Sequence, residues 1–178
     1  MLPFNFFPER DFSVFGTLEP SGAPTDVEVL QTYASGPMGE VDSIIWSNPE
    51  FDNDVTVYGP DVRALVKRYM DQMLAELNAL RHPDGHGSML DAIELIVPHH
   101  ANKSVVTSIA EAAGLDGSRL YFDIERVGNT SSASIPLALE DAVRDGVLTR
   151  PTRVFAPGFG AGAVAGYLVA RIAPSIVA

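Results

Sequence analysis

Two short motifs contain the residues of this sequence that are best suited to chemistry. The first is Pro98-His99-His100-Ala101-Asn102, and the second is the segment 128–136, which begins Gly-Asn-Thr-Ser-Ser. Each motif lies between an apolar strand pattern and a helix pattern, so His99 and Asn129 are both expected on loops that open a helix. Two neutral hydrogen-bond donors that converge on one point can stabilise an oxyanion. The motifs therefore predict an oxyanion site built from His99 and Asn129.

The hydrophobic pattern predicts the elements that must position these loops. Strands are predicted at 13–18, 27–33, 93–97, 120–124, 153–156 and 164–172, and helices at 61–77, 102–113 and 131–145. The segment 34–54 is predicted as a loop because it is rich in Gly and Pro turn signals. Strands that alternate with helices predict an α/β fold, with a mainly parallel mixed sheet and helices on both faces. Functional loops of such sheets lie at the carboxyl ends of the strands, where His99 and Asn129 are both expected.

The helix predicted at 131–145 is apolar over most of its circumference. Its charged residues are confined to Glu140, Asp141, Arg144 and Asp145. A helix that is apolar nearly all round is typically covered on every side, and one small sheet cannot provide that cover. The pattern therefore predicts a further layer, supplied by a complementary subunit or by a second copy of the chain.

Composition limits the classes of function that the chain can have. It has 178 residues, 46% of them hydrophobic, no cysteine and a formal net charge of −11. The acidic balance argues against a nucleic-acid partner, because phosphate recognition needs clustered cations. No apolar run approaches the roughly 20 residues of a membrane-spanning helix, so no membrane partner is expected. The lack of cysteine excludes disulfides, and without a basic, uninterrupted leader pattern a cytoplasmic location is expected.

Three other features could suggest a functional site but are interpreted in other ways. His82 and His86 flank Asp84, but a Gly- and Pro-rich turn without a fourth ligand favours a solvated loop, so no metal is predicted. His100 is interpreted as structural. The segment Gly160-Ala161-Gly162 precedes a strand pattern rather than a helix, so it does not predict a dinucleotide site. Its glycines would instead allow the backbone to approach a ligand closely.

From about residue 14 to residue 172 the sequence resembles the C-terminal domain of the β-ketoacyl-acyl-carrier-protein synthase III family, a group of thiolase-fold condensing enzymes. The resemblance rests on four segments that occur in family order: Val57-Tyr58-Gly59, residues 98–102, residues 128–136 and Phe159-Gly160-Ala161-Gly162. It implies a thiolase-like domain over residues 13–178, preceded by an N-terminal extension at residues 1–12.

The resemblance also implies a reaction, the decarboxylative Claisen condensation of acyl and malonyl thioesters in fatty acid or polyketide biosynthesis. His99 and Asn129 would be the catalytic pair that holds the enolate oxygen of the malonyl thioester. Asn102 would contact the pantetheine arm, and Gly160, Ala161 and Gly162 would approach the acyl group. No permanently bound cofactor is implied, since coenzyme A or phosphopantetheine thioesters would be the substrates.

The sequence departs from that family at the nucleophile. Family members acylate a cysteine in their N-terminal half, and this sequence contains no cysteine. A complementary cysteine-bearing half subunit would complete the enzyme, or the chain is a piece of a longer one. The alternative function is a non-catalytic module that binds acyl thioesters or scaffolds a full-length homologue.

Acyl carrier protein is the least supported of the implied partners. Positions after Asn102 that tend to be basic in the family are occupied by Ser104, Glu111 and Ala112, although Lys103 remains. Because carrier proteins are acidic, a chain with a net charge of −11 would repel them unless it has a local basic patch.

Overall fold

A four-stranded mixed sheet between helices forms the centre of the structure. The computed structural model describes residues 27–35, 45–48, 53–57, 59–82, 85–160 and 164–177. The strands are β1 (Val27–Ser35), β2 (Ile45–Asn48), β3 (Asn53–Val57), β4 (Leu95–Ile96), β5 (Thr152–Gly160) and β6 (Val164–Ile172). The helices are α1 (Gly59–Ala79), α2 (Met89–Ala92), α3 (Lys103–Ala112), α4 (Ile124–Val127) and α5 (Ser134–Arg144). Turns of 3₁₀ helix lie at Gly117–Arg119, Ser131–Ala133 and Pro174–Val177.

The strand order of the central sheet is β1-β6-β5-β4. Strand β4 is parallel to β5, whereas β5 pairs with β6 and β6 pairs with β1 in antiparallel fashion. The predicted α/β fold with a mixed sheet is confirmed, but the prediction that parallel pairs dominate is wrong for the described strands. The reason is the short connection at 161–163, because a parallel crossover needs a dozen or more residues.

Neighbouring residues of the central strands pack on opposite faces of the sheet. Ile96 and Phe155 belong to a core that includes residues of α1, α2 and α3. Leu95 and Val154 belong to a second core that includes residues of α5. This is the two-residue alternation of a strand that is buried on both faces. The predicted placement of helices on both faces is confirmed.

Helix α1 covers one face of the sheet with an apolar stripe. Its buried residues recur at helical spacing: Leu65, Val66, Tyr69, Met70, Met73, Leu74 and Leu77. Its outer side carries exposed charges, including Lys67 and Asp71, which form an ion pair at 2.6 Å. Such a stripe is typical of a helix that packs against a core, and the helix predicted at 61–77 is confirmed.

Two segments differ from their predicted structure. The segment 34–54 was expected to be a loop, but β2 lies within it and pairs with β3, because Ile45 and Trp46 favour a strand despite the flanking turn residues. The strand expected at 120–124 is reduced to one parallel bridge between Ile96 and Leu120, since the chain enters α4 at Ile124. The strand predicted at 13–18 and the boundary predicted between residues 12 and 13 lie outside the described residues.

Helix α5 is amphipathic rather than apolar all round. Its buried residues are Ser134, Ala138, Leu139 and Ala142. Arg144 forms ion pairs with Glu140 and Asp141 on the outer side. Within the described part of the chain, the large hydrophobic residues that are exposed are Val127 and Val147, and neither belongs to α5. The outer side of this helix is therefore more polar than the sequence pattern indicates, and the further layer over it stays a prediction.

Candidate active site

His99 follows β4 at the carboxyl end of the strand. Its backbone N–H donates to the carbonyl oxygen of Pro157 at 2.8 Å, which continues the parallel pairing of β4 with β5. Its ring is half-buried, and Nδ1 lies 2.7 Å from Oγ of Ser134, a residue with no exposed surface at the start of α5. The strand fixes the backbone of His99, and the helix fixes its ring.

The protonation state of His99 follows from these surroundings. Burial lowers the pKa of His99 below its ordinary value of 6.5, and the neighbouring His100 lowers it further, while a hydrogen bond to the main chain of Ser131 opposes both effects. The ring is therefore neutral at pH 7. A neutral imidazole donates from one nitrogen and accepts at the other, so the ring can supply one hydrogen-bond donor to an oxyanion.

Asn129 lies on the exposed loop between α4 and the turn Ser131–Ala133. Its Oδ1 accepts a hydrogen bond from the backbone N–H of Ser131 at 2.9 Å. The loop is tight, since Gly128 and Ser131 have φ angles of 70° and 57°. Because its side-chain oxygen is engaged, Asn129 has its amide N–H groups to offer to a ligand.

The segment 131–134 connects the two predicted catalytic residues. The backbone N–H of Ser131 donates to the side chain of Asn129. Ser134 adds the side-chain contact to His99. The structure thus brings the motifs at 98–102 and 128–136 together at the beginning of α5.

His100 is buried beside a carboxylate that the sequence patterns did not indicate. Its Nδ1 lies 3.1 Å from the carbonyl oxygen of Pro98, and its Nε2 lies 2.6 Å from Oδ1 of Asp123. Both side chains are fully buried, although the Nε2–Oδ1 contact is not aligned as a straight hydrogen bond. The ring of Phe122 stands edge-on to the imidazole, with 6.3 Å between the ring centroids. The environment of His100 agrees with its interpretation as a structural residue.

The remaining predicted site residues have separate surroundings. Asn102 is the N-cap of α3, and its Oδ1 accepts hydrogen bonds from the Val105 N–H at 3.2 Å and the Ser104 hydroxyl at 2.8 Å. This cap explains why α3 begins here. Its predicted contact with a pantetheine arm stays a prediction. Gly160 is the exposed last residue of β5, and Ala161 and Gly162 lie outside the described residues.

Sequence reasoning missed Ser131, Ser134 and Asp123. A serine near a helix start is usually interpreted as a cap. In the structure α5 has no side-chain cap at Ala133, and the buried hydroxyl of Ser134 contacts His99 instead. The number of serines around this helix start was the available signal, because only one of them could have served as the cap.

The described residues contain no group of three or more His, Cys, Asp or Glu side chains that could hold a metal ion. His86 is exposed, and Asp84 lies outside the described residues. None of the described helices is long and apolar enough to cross a membrane.

The motifs and their placement match a known family. A family model described as 3-oxoacyl-[acyl-carrier-protein (ACP)] synthase III C terminal matches residues 84–172, a range that includes both motifs. The chain belongs to this family. The β-ketoacyl-[acyl-carrier-protein] synthase III of Symbiobacterium thermophilum is 35% identical over 117 residues, which are 66% of this chain and 34% of the relative. That of Psychromonas ingrahamii is 29% identical over 159 residues, which are 84% of this chain and 48% of the relative.

Solved structures of the family confirm the thiolase-like α/β fold. The synthase III of Pseudomonas aeruginosa has a TM-score of 0.68 at 26% identity, and the match covers 82% of this chain and 44% of that one. The synthase III of Thermus thermophilus has a TM-score of 0.65 at 27% identity, and the match covers 79% of this chain and 44% of that one. The chain spans less than half the length of these relatives, and what it shares with them is their C-terminal portion.

Proposed function

We propose that the chain acts as the C-terminal half of a 3-oxoacyl-ACP synthase III-type acyltransferase, whose cysteine comes from a complementary half. One observation carries the proposal. Nδ1 of His99 contacts Ser134 and Oδ1 of Asn129 accepts from Ser131, so both side chains are anchored to the segment 131–134 through one polar end, and the other end can serve a ligand.

The chemistry would begin on the complementary half, where a cysteine takes an acyl group from a coenzyme A thioester and free coenzyme A leaves. A malonyl thioester then loses carbon dioxide, and the electrons of the broken C–C bond form an enolate. His99 and Asn129 would donate hydrogen bonds to the enolate oxygen. The enolate carbon attacks the acyl-cysteine carbonyl, the thiolate leaves, and the product is a 3-oxoacyl thioester.

The charge state of His99 supports its role as a donor. An imidazolium would hold an enolate as an ion pair and would resist its collapse onto the acyl-cysteine, whereas a neutral ring stabilises the charge as it develops. The lowered pKa of His99 keeps the ring neutral at pH 7. Removing one such donor costs about 10²–10³ in rate in other oxyanion holes.

Coenzyme A thioesters are proposed as the substrates in preference to an acyl carrier protein. Lys103, the cation that remains at the start of α3, forms an ion pair with Glu125 at 2.5 Å and lies 5.6 Å from the ring centroid of Phe122. Its charge is thus already compensated within the chain. With a formal net charge of −11, this surface would give an acidic carrier little attraction.

The test combines the purified chain with the cysteine-bearing half of a relative and measures decarboxylation of malonyl-coenzyme A. We expect His99→Ala and Asn129→Ala to slow decarboxylation by about 10²–10³ while acylation of the cysteine half is retained. His86→Ala is the matched control, because His86 is exposed and far along the chain from both motifs. Equal rates for all three variants would contradict the proposal.

The second candidate is a non-catalytic module that binds acyl thioesters, and the absence of cysteine from the chain favours it. The same experiment separates the two functions. Binding of acyl-coenzyme A without decarboxylation, in every assembly with a cysteine-bearing half, would support the module.

A further inference from the structure

The buried pair His100–Asp123 joins the two loops of the candidate site. His100 directly follows His99, and Asp123 directly precedes α4, whose end leads into Gly128 and Asn129. Both side chains are fully buried, and Nε2 of His100 lies 2.6 Å from Oδ1 of Asp123. The proposed chemistry does not use either residue, so their burial needs another explanation.

The geometry fixes how many protons the pair holds. The Nδ1 atom of His100 faces the carbonyl oxygen of Pro98 at 3.1 Å, so Nδ1 must carry a hydrogen. The Nε2 atom faces a carboxyl oxygen, and at 2.6 Å two lone pairs would repel each other. A second proton therefore sits on either the ring or the carboxyl group, in a contact that departs from a straight hydrogen bond.

We propose that His100 and Asp123 are positioning residues, which share one proton and thereby clamp the loop of His99 against the segment that leads to Asn129. A buried pair suits this task, because water cannot compete for its contact and removal of one partner leaves the other polar group stranded. The effect of the clamp on catalysis rests on the function proposed above, but the contact itself can be tested on the chain alone.

Two neighbouring contacts support the clamp. The main-chain N–H of Tyr121 donates to the carbonyl oxygen of Ile96 at 3.0 Å, so the two segments are already side by side before they reach the pair. The second contact is the ring of Phe122, the residue next to Asp123, which stands edge-on to the His100 imidazole with 6.3 Å between the ring centroids.

The first experiment is NMR of the full chain with ¹⁵N-labelled histidine at pH 7.5. We expect His100 to show either two protonated ring nitrogens or one strongly deshielded proton shared with Asp123, and His99 to show one protonated nitrogen. A neutral His100 ring with an ordinary N–H at one nitrogen and a bare second nitrogen would overturn the clamp.

The second experiment uses His100→Gln and the double variant His100→Gln/Asp123→Asn. The single variant leaves a buried carboxylate without its partner, whereas the double variant places two neutral amides that can bond to each other. We expect His100→Gln to shift the amide resonance of Ser131, which reports the bond to Asn129, and to lower the thermal midpoint by several degrees. In the double variant the Ser131 resonance and the thermal midpoint should both return most of the way to their wild-type values. If the single and double variants behave alike, the clamp is refuted.

The matched control is Lys103→Met. Lys103 and Glu125 bridge the start of α3 and α4, close in sequence to the buried pair, but their contact is exposed. An exposed ion pair contributes little, so the Ser131 amide should stay where it is. A shift as large as that of His100→Gln would mean that any contact between these elements has the same effect, and would contradict a specific clamp.

The assembled enzyme separates this inference from the proposed function. There His100→Gln should lower kcat for decarboxylation at least tenfold with little change in KM, and the double variant should restore it. If the wild-type assembly is inactive while the NMR signature of the pair is present, the proposed function fails and the clamp stands. If the assembly is active but the signature is missing, the clamp fails alone.

Discussion

The Nδ1 atom of His99 lies 2.7 Å from the Oγ atom of Ser134, although 35 positions separate the two residues in the sequence. His99 lies in the loop that follows the strand β4, and Ser134 begins a helix on one face of the same sheet. Because Ser134 has no exposed surface, packing of α5 against the sheet determines where its hydroxyl points. The orientation of the His99 ring is therefore a consequence of how α5 docks.

Replacement of Ser134 by alanine tests this relationship. We expect Ser134→Ala to lower the free energy of unfolding by about 1 kcal/mol, because the half-buried ring nitrogen loses its partner. Chemical denaturation measures the loss, and NMR of the His99 ring measures its reorientation. Ser132→Ala is the control, since Ser132 is exposed in the same turn. Equal effects of the two variants would mean that the hydroxyl does not anchor His99.

Local sequence patterns were sufficient to predict that His99 follows a strand, but the prediction that Asn129 also follows one is wrong, because the helix α4 precedes it. The patterns did not predict what holds either residue. An apolar run followed by a polar residue and a helix pattern predicts the end of a strand, and His99 lies there. The contacts to Ser134 and Asp123 depend on how distant segments pack, and no local period encodes that. The position of His99 follows from a local pattern, whereas contacts between distant segments do not.

The direction of the strands could have been predicted better. Only residues 161–163 separate β5 from β6, and a connection of that length permits a hairpin and excludes a parallel crossover. The alternation of strands and helices predicts strand direction less reliably than the length of the connection between two strands does. The hairpin β2–β3 was harder to predict, since the segment 34–54 mixes strand formers with several turn residues.

The lowered pKa of His99 predicts a pH dependence of stability. Burial is its largest cause, so the folded chain resists protonation of a ring that ionises at about 6.5 when unfolded. As the pH falls below that value, the unfolded state takes up the proton first, and the free energy of unfolding falls until the folded-state pKa is reached. This contribution is therefore fully present above the ordinary pKa and is lost in the window just below it.

Urea denaturation between pH 5 and 8 at constant ionic strength measures this window. His99→Gln should flatten the slope of stability against pH below about 6.5. Ser132→Ala should leave the slope unchanged, because Ser132 is exposed and its side chain does not titrate in this range. A slope that persists in His99→Gln would assign the effect to another group.

The absence of cysteine predicts how the chain behaves alone. It should not retain radiolabel from acetyl-coenzyme A after denaturation and should not condense acetyl and malonyl thioesters, because it has no thiol to acylate. With a cysteine-bearing half present, the label should appear on that half. Label that stays covalently on this chain would contradict the proposal that only the cysteine-bearing half is acylated.

The backbone conformation of Ser131 determines which substitutions at position 131 the Asn129 loop tolerates. Ser131 has a φ of 57°, a left-handed conformation that costs a residue with a Cβ about 1–2 kcal/mol. Ser131→Gly relieves this cost but loses about 0.5–1 kcal/mol through the greater freedom of the unfolded chain, so the free energy of unfolding should stay the same or rise by up to about 1.5 kcal/mol. Ser131→Val should lose about 1–2 kcal/mol, because a β-branched side chain fits the left-handed region worst.

The consequence for the site follows from the bond between Ser131 and Asn129. In the observed turn the Ser131 N–H reaches Oδ1 of Asn129 at 2.9 Å, so a change of this turn should weaken the bond. In an assembled enzyme Ser131→Gly should therefore keep decarboxylation, whereas Ser131→Val should lower it together with stability. Ser132→Val serves as the control, because Ser132 is exposed and does not have a positive φ. If Ser131→Val and Ser132→Val are equally stable and equally active, the left-handed turn at Ser131 does not hold Asn129 in place.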